Sequence, residues 1–138
     1  MISTGRIGLR RWKQSDFEPF VKMNSDPEVM KYFPNILTSD QTRELMKRID
    51  NHFQDHGFGL YALEKLSSHK FIGFTGFMIP AFESFFTPCV EIGWRIIKEE
   101  WNSGYATEAA RACLWYGFSN LQFHEVYSFT SVLNSPSE

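Results

Sequence analysis

One stretch decides the fold of this chain: VEIGWRIIKEEWNSGYATEAA, which runs from Val90 to Ala110. In its first seven residues apolar side chains alternate with polar or small ones, the period-two pattern of a strand with one buried face. Charged and turn-forming residues at 98–103 interrupt this pattern, and a run of small, helix-favouring residues begins at Gly104. The stretch therefore predicts a strand, a short turn and the start of a helix in direct succession.

The junction between this strand and this helix suits an anion. The backbone N–H groups in the first turn of a helix lack intrahelical partners and lie at the positive end of its dipole, so Ser103 to Thr107 can bind a phosphate through main chain alone. Gly104 and Ala106 are small, which lets a bulky anion approach the backbone closely. An ordinary connection without a ligand explains the same spacing, because short glycine motifs arise often by chance.

The remaining sequence predicts a single domain, residues 1–138, of mixed α/β (α+β) type. Alternating patterns predict strands at 6–10, 58–65, 70–79, 88–97 and 126–133, and apolar periodicity with capping residues predicts helices at 16–24, 38–56 and 104–119. Thr38 and Gln41 form a capping box, and Gly57 follows the second helix as its C-terminal cap. Asp26 with Pro27 begins a further helical turn. The last helix and strand predict a right-handed crossover to a parallel strand.

Composition excludes several classes of function. The chain has 138 residues, of which 43% are hydrophobic and 17% aromatic, so it has enough apolar surface for a packed core. With 14 Lys and Arg against 16 Asp and Glu, the net charge of −2 argues against a nucleic-acid or anionic-membrane partner. No stretch has the length of a signal peptide core or a membrane span, which predicts a cytoplasmic protein.

Other residues with reactive or apolar side chains receive ordinary interpretations. Cys89 and Cys113 lack the spacing of a metal or redox pair and are interpreted as buried thiols. His52 and His56 have the i,i+4 spacing of a metal pair, but the sequence offers no accompanying ligand motif, and we expect no metal. Most phenylalanines are expected in the core, whereas Phe82 to Phe86 lie between two strands and suit an acceptor groove or an oligomer contact.

The segment from Trp101 to Ala109 resembles the acetyl-CoA pyrophosphate loop of the GNAT N-acetyltransferase superfamily, in the branch that includes enzymes acetylating the N-termini of ribosomal proteins. The superfamily pattern is Gln/Arg-x-x-Gly-x-Gly/Ala, written in this branch as Trp-Gly-x-Gly-Tyr-Ala-Thr-Glu-Ala. Further segments resemble the same branch in the same order: Arg6 to Arg10, Asn24 to Tyr32, Ile72 to Gly76, and Asn134 to Ser137. The resemblance thus spans nearly the whole chain.

Two departures from the family pattern affect the prediction. Asn102 replaces a glycine, and asparagine is among the residues that best tolerate the positive φ of such a turn. Ser135, Pro136 and Glu138 read as the opening of a helix, where the sequence ends. Family members continue with that helix and two strands, so the resemblance implies a C-terminally truncated GNAT fold. Its mixed, mostly antiparallel sheet would have an open edge that invites homodimerisation.

The resemblance implies acetyl-CoA as co-substrate and assigns residues to it. The pantetheine arm would pair with the strand at Trp94, Arg95 and Ile96, and Asn134 would hydrogen-bond the same arm. The diphosphate would lie on Asn102, Ser103, Gly104, Tyr105, Ala106 and Thr107. The acceptor implied is a primary amine: a protein N-terminus, a peptide or a small molecule.

Catalysis by such a protein needs a base, because an acceptor ammonium must lose a proton before it attacks the thioester. Glu91 is the candidate, since it precedes the cofactor-binding segment on the same strand. A structural ion pair between Glu91 and Arg95 or a lysine is the alternative. Tyr127 is a candidate general acid. The alternative function is a catalytically impaired acyl-CoA-binding or protein-interaction domain on the same scaffold.

Overall fold

The computed structural model describes residues 2–33, 35–79, 91–121 and 127–128, and of Glu91, Tyr127 and Ser128 it describes the backbone alone. The elements in chain order are β1 (Ile2–Ser3), β2 (Ile7–Arg10), α1 (Phe17–Asn24), α2 (Ser39–His56), β3 (Leu60–Lys65), β4 (Lys70–Met78), β5 (Glu91–Ile96), α3 (Tyr105–Ser119) and β6 (Tyr127–Ser128). Short 3₁₀ turns at Gln14–Asp16 and Lys98–Glu100 precede α1 and α3.

The six strands form one sheet in sequential order, β1 to β6. Neighbouring strands from β1 to β5 are antiparallel to each other. Strand β6 runs parallel to β5, with Tyr127 opposite Glu91. The mixed, mostly antiparallel sheet expected from the sequence is therefore confirmed. A parallel pair requires a crossover, and α3 is the helix within it.

Capping residues define α2 as the sequence predicts. The Thr38 hydroxyl accepts from the Gln41 N–H at 3.1 Å, and the Gln41 side chain accepts from the Thr38 N–H at 2.9 Å. Gly57 ends the helix in the left-handed conformation, with φ of +79°. After α1 the expected helical turn is present, because the Met30 N–H bonds the Asp26 carbonyl at 3.0 Å, although it does not continue as a helix.

Helices α1 and α3 pack on opposite faces of the sheet. On the α1 face, Phe20 packs against the rings of Trp12 and Phe74 at centroid distances of 4.6 and 6.1 Å. On the other face, three fully buried residues of α3 contribute to the core: Ala106, Ala109 and Cys113. Cys113 is a free buried thiol, as predicted, while Cys89 and the 82–86 segment lie outside the described residues.

A buried ion cluster fixes the start of α1 on the sheet. Arg10 donates to both carboxylate oxygens of Asp16, at 2.8 and 3.0 Å, and to Glu64 at 2.8 Å. Hydrogen bonds from His69 and from Arg10 lower the pKa of the Glu64 carboxyl. Both carboxylates thus balance a single buried guanidinium, which suits a structural role. Across the described helices, none combines the length and the apolarity needed to cross a membrane.

Candidate acetyl-CoA site

The turn between β5 and α3 has the backbone conformation that the sequence predicts. We call Asn102, Ser103 and Gly104 the β5–α3 turn. Asn102 has φ of +64° and Gly104 has φ of +79°, so both adopt the left-handed conformation. Asn102 can adopt this conformation because asparagine tolerates the left-handed region better than most residues.

The N-terminus of α3 lacks the side-chain cap that α2 has. Gly104 is the N-cap residue of α3, and no side chain caps its first turn. Tyr105 and Ala106 are buried against the sheet, whereas Thr107 is exposed. The N–H groups of this first turn lack intrahelical acceptors and carry the positive end of the helix dipole. The predicted phosphate-binding residues are thus the β5–α3 turn and the first turn of α3 that follows it.

One edge of β5 leads directly to this turn. The Ile97 N–H bonds the Ile72 carbonyl at 2.9 Å, and the register pairs Gly93 with Gly76. Backbone groups alternate in direction along a strand, so the polar groups of Trp94 and Ile96 point away from β4. Strand β6 pairs with β5 only at its beginning, opposite Glu91 and Ile92. Among the described strands, none pairs with the Trp94–Ile96 segment on that edge.

The indole of Trp101 occupies one of the backbone acceptors on this edge of β5. Its Nε1 donates to the Ile96 carbonyl at 2.9 Å, which satisfies that acceptor within the protein. The N–H and carbonyl of Trp94 and the N–H of Ile96 are left facing the edge. These groups suit an extended ligand carrying amides, since an added strand bonds to a sheet edge through the same backbone groups.

The side chain of Arg95 holds α1 and the following segment against β5. Its Nε is buried, its Nη1 donates to the Asn24 carboxamide oxygen at 2.6 Å, and its guanidinium stacks on Phe33 and Phe74 at 4.7 and 5.0 Å. Burial lowers the pKa of Arg95 to about 10, so the group stays charged at neutral pH. Among the described residues, the hydrogen-bonding side-chain partner of Arg95 is thus Asn24.

Two buried donors near the open edge have no hydrogen-bond acceptor among the described residues. They are the indole Nε1 of Trp94 and the Nε of Arg95. Neighbouring side chains on a strand point to opposite faces, so the two donors flank β5 from both sides. Buried polar groups are normally satisfied, which makes this segment of β5 unusual in the described part of the molecule.

Arg6 and Glu108 attach the β1–β2 hairpin to the β5–α3 turn. The Arg6 Nη1 donates to the Ser103 carbonyl at 2.9 Å, and its Nε donates to Glu108 at 2.7 Å. The second Glu108 oxygen accepts from the Thr4 hydroxyl. A groove of about 650 Å³ lies beside these residues, lined by Thr4, Gly104, Thr107, Glu108, Arg111 and Ala112. This cluster could not be predicted from the sequence, because 102 positions separate Arg6 from Glu108.

His52, which lies four residues before His56 in the spacing of a metal pair, instead bonds to the backbone. The His52 Nδ1 bonds the Phe58 carbonyl at 2.8 Å, and its Nε2 accepts from the Ile79 N–H at 3.0 Å. Both ring nitrogens are therefore occupied within the protein. The residues that the structure describes contain no cluster of three or more metal-binding side chains.

Three predicted site residues are described as backbone alone or lie outside the described residues. Glu91 is the first residue of β5, so its backbone is on the strand that leads to the turn, while its side chain is not described. Tyr127 lies opposite it on β6, again as backbone alone. Asn134 lies outside the described residues.

The sequence of this chain matches a known protein family. Residues 6–138 match the family model described as an acetyltransferase (GNAT) domain. An uncharacterized Bacillus subtilis protein, YkkB, is 33% identical over 137 residues, which are 99% of this chain and 78% of the relative.

Solved structures share the same fold. A GNAT-family acetyltransferase from Bacillus anthracis superposes with a TM-score of 0.76 at 27% identity, over 92% of this chain and 71% of the other. A spermidine N-acetyltransferase from Vibrio cholerae, in complex with CoA and spermine, superposes with a TM-score of 0.70 at 20% identity, over 91% and 71% of the two chains. With a family model matching almost its full length, this chain belongs to the GNAT acetyltransferase family, whose members are acetyl-CoA-dependent N-acetyltransferases.

Proposed function

We propose that this chain transfers the acetyl group of acetyl-CoA to a primary amine, and that the β5–α3 turn holds the diphosphate of the cofactor. The observation that carries the proposal is the start of α3, which lacks a side-chain cap, follows the left-handed Asn102 and Gly104, and lies beside an edge of β5 that no described strand pairs with at Trp94–Ile96. Backbone N–H groups at a helix N-terminus bind phosphate without any cationic side chain.

The cofactor would extend from this turn along β5. We place the diphosphate on Asn102 to Thr107 and the pantetheine amides on Trp94 and Ile96, whose backbone groups face the open edge. Arg95 lies between them, and the side chain of Asn134 is the proposed further partner of the pantetheine arm. Binding in this manner adds a strand-like segment to the sheet, so it also immobilises the thioester.

The reaction would proceed by direct attack on the thioester. The amine nitrogen forms a bond to the carbonyl carbon, the carbon–sulfur bond breaks, and CoA leaves as a thiolate that takes up a proton. We propose Glu91 as the base that removes the proton of the acceptor ammonium, directly or through water. Orientation of the two reactants supplies much of the rate, because the entropic cost of their encounter is met on binding.

The acceptor is proposed at the level of a primary amine. The solved neighbour from Vibrio cholerae is a spermidine N-acetyltransferase, which supports a small polyamine as one acceptor to test. The resemblance to enzymes that act on ribosomal proteins supports an N-terminal peptide as the other. Residues 82–87 lie between β4 and β5 in the sequence and outside the described residues, and we propose that they contribute to acceptor choice, since binding residues often lie between the elements of a shared scaffold.

Calorimetric titration with acetyl-CoA tests the cofactor site. We expect the unmodified chain to bind and the Gly104→Leu variant to lose binding, because a β-carbon at this positive φ strains the turn and would lie 3.5 Å from Arg6 Nη2, so that a larger side chain disturbs the turn. Gly57→Leu is a matched control: Gly57 also has φ of +79°, so it imposes the same backbone strain, but it lies at the end of α2. Equal binding by both variants would exclude the turn as the diphosphate site.

Release of free thiol from acetyl-CoA in the presence of amines tests the chemistry. Glu91→Gln is expected to lower kcat by about 10²–10⁴-fold, the usual contribution of a general base. Its KM for acetyl-CoA should be unchanged, because Gln keeps the size of the side chain. Full turnover by this variant at its pH optimum would remove Glu91 from the mechanism. CoA binding without turnover in the unmodified chain would instead support the acyl-CoA-binding alternative.

A further inference from the structure

We propose that Arg6, in the β1–β2 hairpin, is a positioning residue for the acetyl-CoA diphosphate, because its guanidinium fixes the orientation of the Ser103–Gly104 peptide. The inference rests on the proposed function, since it concerns how the same turn is kept ready for the cofactor. Arg6 touches no reacting atom in this account and acts through the turn.

The contacts of Arg6 use three of its nitrogens and one face of its guanidinium. Nη1 donates to the Ser103 carbonyl at 2.9 Å, while Nε and Nη2 lie 2.7 and 2.6 Å from the same oxygen of Glu108. The guanidinium carbon lies 4.4 Å from the centre of the Tyr105 ring. Arg6 thereby contacts the residues on both sides of Gly104, the N-cap of α3.

Peptide planarity converts the bond at Ser103 into a constraint on Gly104. In a trans peptide the carbonyl and the following N–H point in opposite directions. Because Arg6 holds the Ser103 carbonyl, the N–H of Gly104 points away from the guanidinium. An anion on that side meets a donor and not an acceptor. Gly104 and Asn102 both tolerate positive φ, so without Arg6 little would prevent the peptide from rotating.

Arg6 also neutralises a carboxylate that would otherwise oppose the cofactor. Glu108 lies in the first turn of α3, next to the groove at the helix N-terminus. Its two oxygens accept from Arg6 and from the Thr4 hydroxyl. Thr4 is itself fixed by the hairpin, where its N–H bonds the Ile7 carbonyl at 2.8 Å. A free carboxylate at this position would repel a diphosphate, so the pairing favours binding.

The effect of Arg6 should be confined to ligands that carry the diphosphate. We expect Arg6→Gln to raise the Kd for CoA at least about tenfold, the effect of losing a charge-assisted hydrogen bond. The kcat/KM with S-acetyl-pantetheine, which lacks the diphosphate, should stay within about twofold of that of the unmodified chain. A merely structural role would weaken both substrates alike or lower the Tm.

Arg11→Gln is the matched control. Arg11 also pairs with a carboxylate, Asp50, at 3.0 Å, and also stacks on an aromatic ring, that of Phe53 at 4.2 Å. Its side chain is 56% exposed against 47% for Arg6. Because Arg11 contacts α2 and not the β5–α3 turn, this variant should bind CoA like the unmodified chain.

Arg6→Lys separates charge from orientation. Lysine keeps the positive charge but lacks the planar fork that bonds Ser103 and Glu108 together. We expect an affinity between those of the unmodified chain and Arg6→Gln. Full affinity in Arg6→Lys, or parental affinity in Arg6→Gln, would overturn the inference while the proposed function stands. Absence of CoA binding by the unmodified chain would overturn the proposed function and this inference together.

Discussion

At the scale of single residues, the most consequential side chain outside the turn is Asn24. It is fully buried at the end of α1, where its oxygen accepts from Arg95 and its amide donates to Thr42 of α2 at 3.3 Å. One carboxamide therefore joins α1, α2 and β5. The Arg95 guanidinium depends on it, since Asn24 is its hydrogen-bonding side-chain partner among the described residues.

Asn24→Ala should destabilise the fold more than Arg95→Met, which removes the charge itself. We expect a loss of about 2–3 kcal/mol in the free energy of unfolding, because a buried guanidinium is left without its acceptor. Arg95→Met should cost less, since Met keeps apolar contact with Phe33 and Phe74 and leaves no buried charge. Urea unfolding measures both variants. A greater loss in Arg95→Met would show that aromatic stacking, and not the hydrogen bond, stabilises this contact.

At the scale of elements, most of the fold could be predicted from sequence because its signals are local. The Thr38–Gln41 capping box and Gly57 defined both ends of α2, and alternating side chains defined β4 and β5. The strand predicted to begin at residue 58 begins instead at Leu60. The Gly59 carbonyl still accepts from the Phe77 N–H at 3.0 Å, next to the Leu60–Gly76 pair, so the pairing with β4 extends one residue before the strand begins.

The candidate site likewise contains features that could be predicted from the sequence and features that could not. The residue type of Asn102 indicated that it tolerates positive φ, and the structure gives it φ of +64°. The lack of a side-chain cap at the first turn of α3 is an observation of the structure. The roles of Arg6 and Glu108 could not be predicted, because a charge pair about a hundred positions apart depends on the whole topology. The family motif includes Glu108, but its partner became visible only when the β1–β2 hairpin was placed beside α3.

At the scale of the whole molecule, His52 joins three elements through one ring. A carbonyl can only accept, so Nδ1 carries the proton in the bond to Phe58 before β3, and Nε2 accepts from Ile79 after β4. The ring itself belongs to α2. Neutral imidazole can make both bonds, whereas imidazolium would lose the acceptor at Nε2 and the bond to Ile79.

The pH dependence of stability follows from this arrangement. Burial, the largest cause, lowers the pKa of His52 in the folded protein, with a smaller contribution from the neighbouring His56. The unfolded chain, with an ordinary histidine pKa of about 6.5, then binds the proton more readily. The contribution of His52 to stability is therefore complete above about pH 6.5 and decreases as the pH falls from there towards the lower pKa of the folded state.

Denaturant unfolding at pH 7.5 and pH 5.5 measures this contribution. We expect the unmodified chain to lose stability between the two values, and His52→Gln to lose distinctly less, because it has no proton to take up at this position. Carboxylates titrate in both proteins, so the difference between the two losses isolates His52. His56→Gln, one turn further along α2 and exposed, should keep most of the parental loss. An equal decrease in the unmodified chain and in His52→Gln would mean that α2, β3 and β4 remain joined when the ring is protonated.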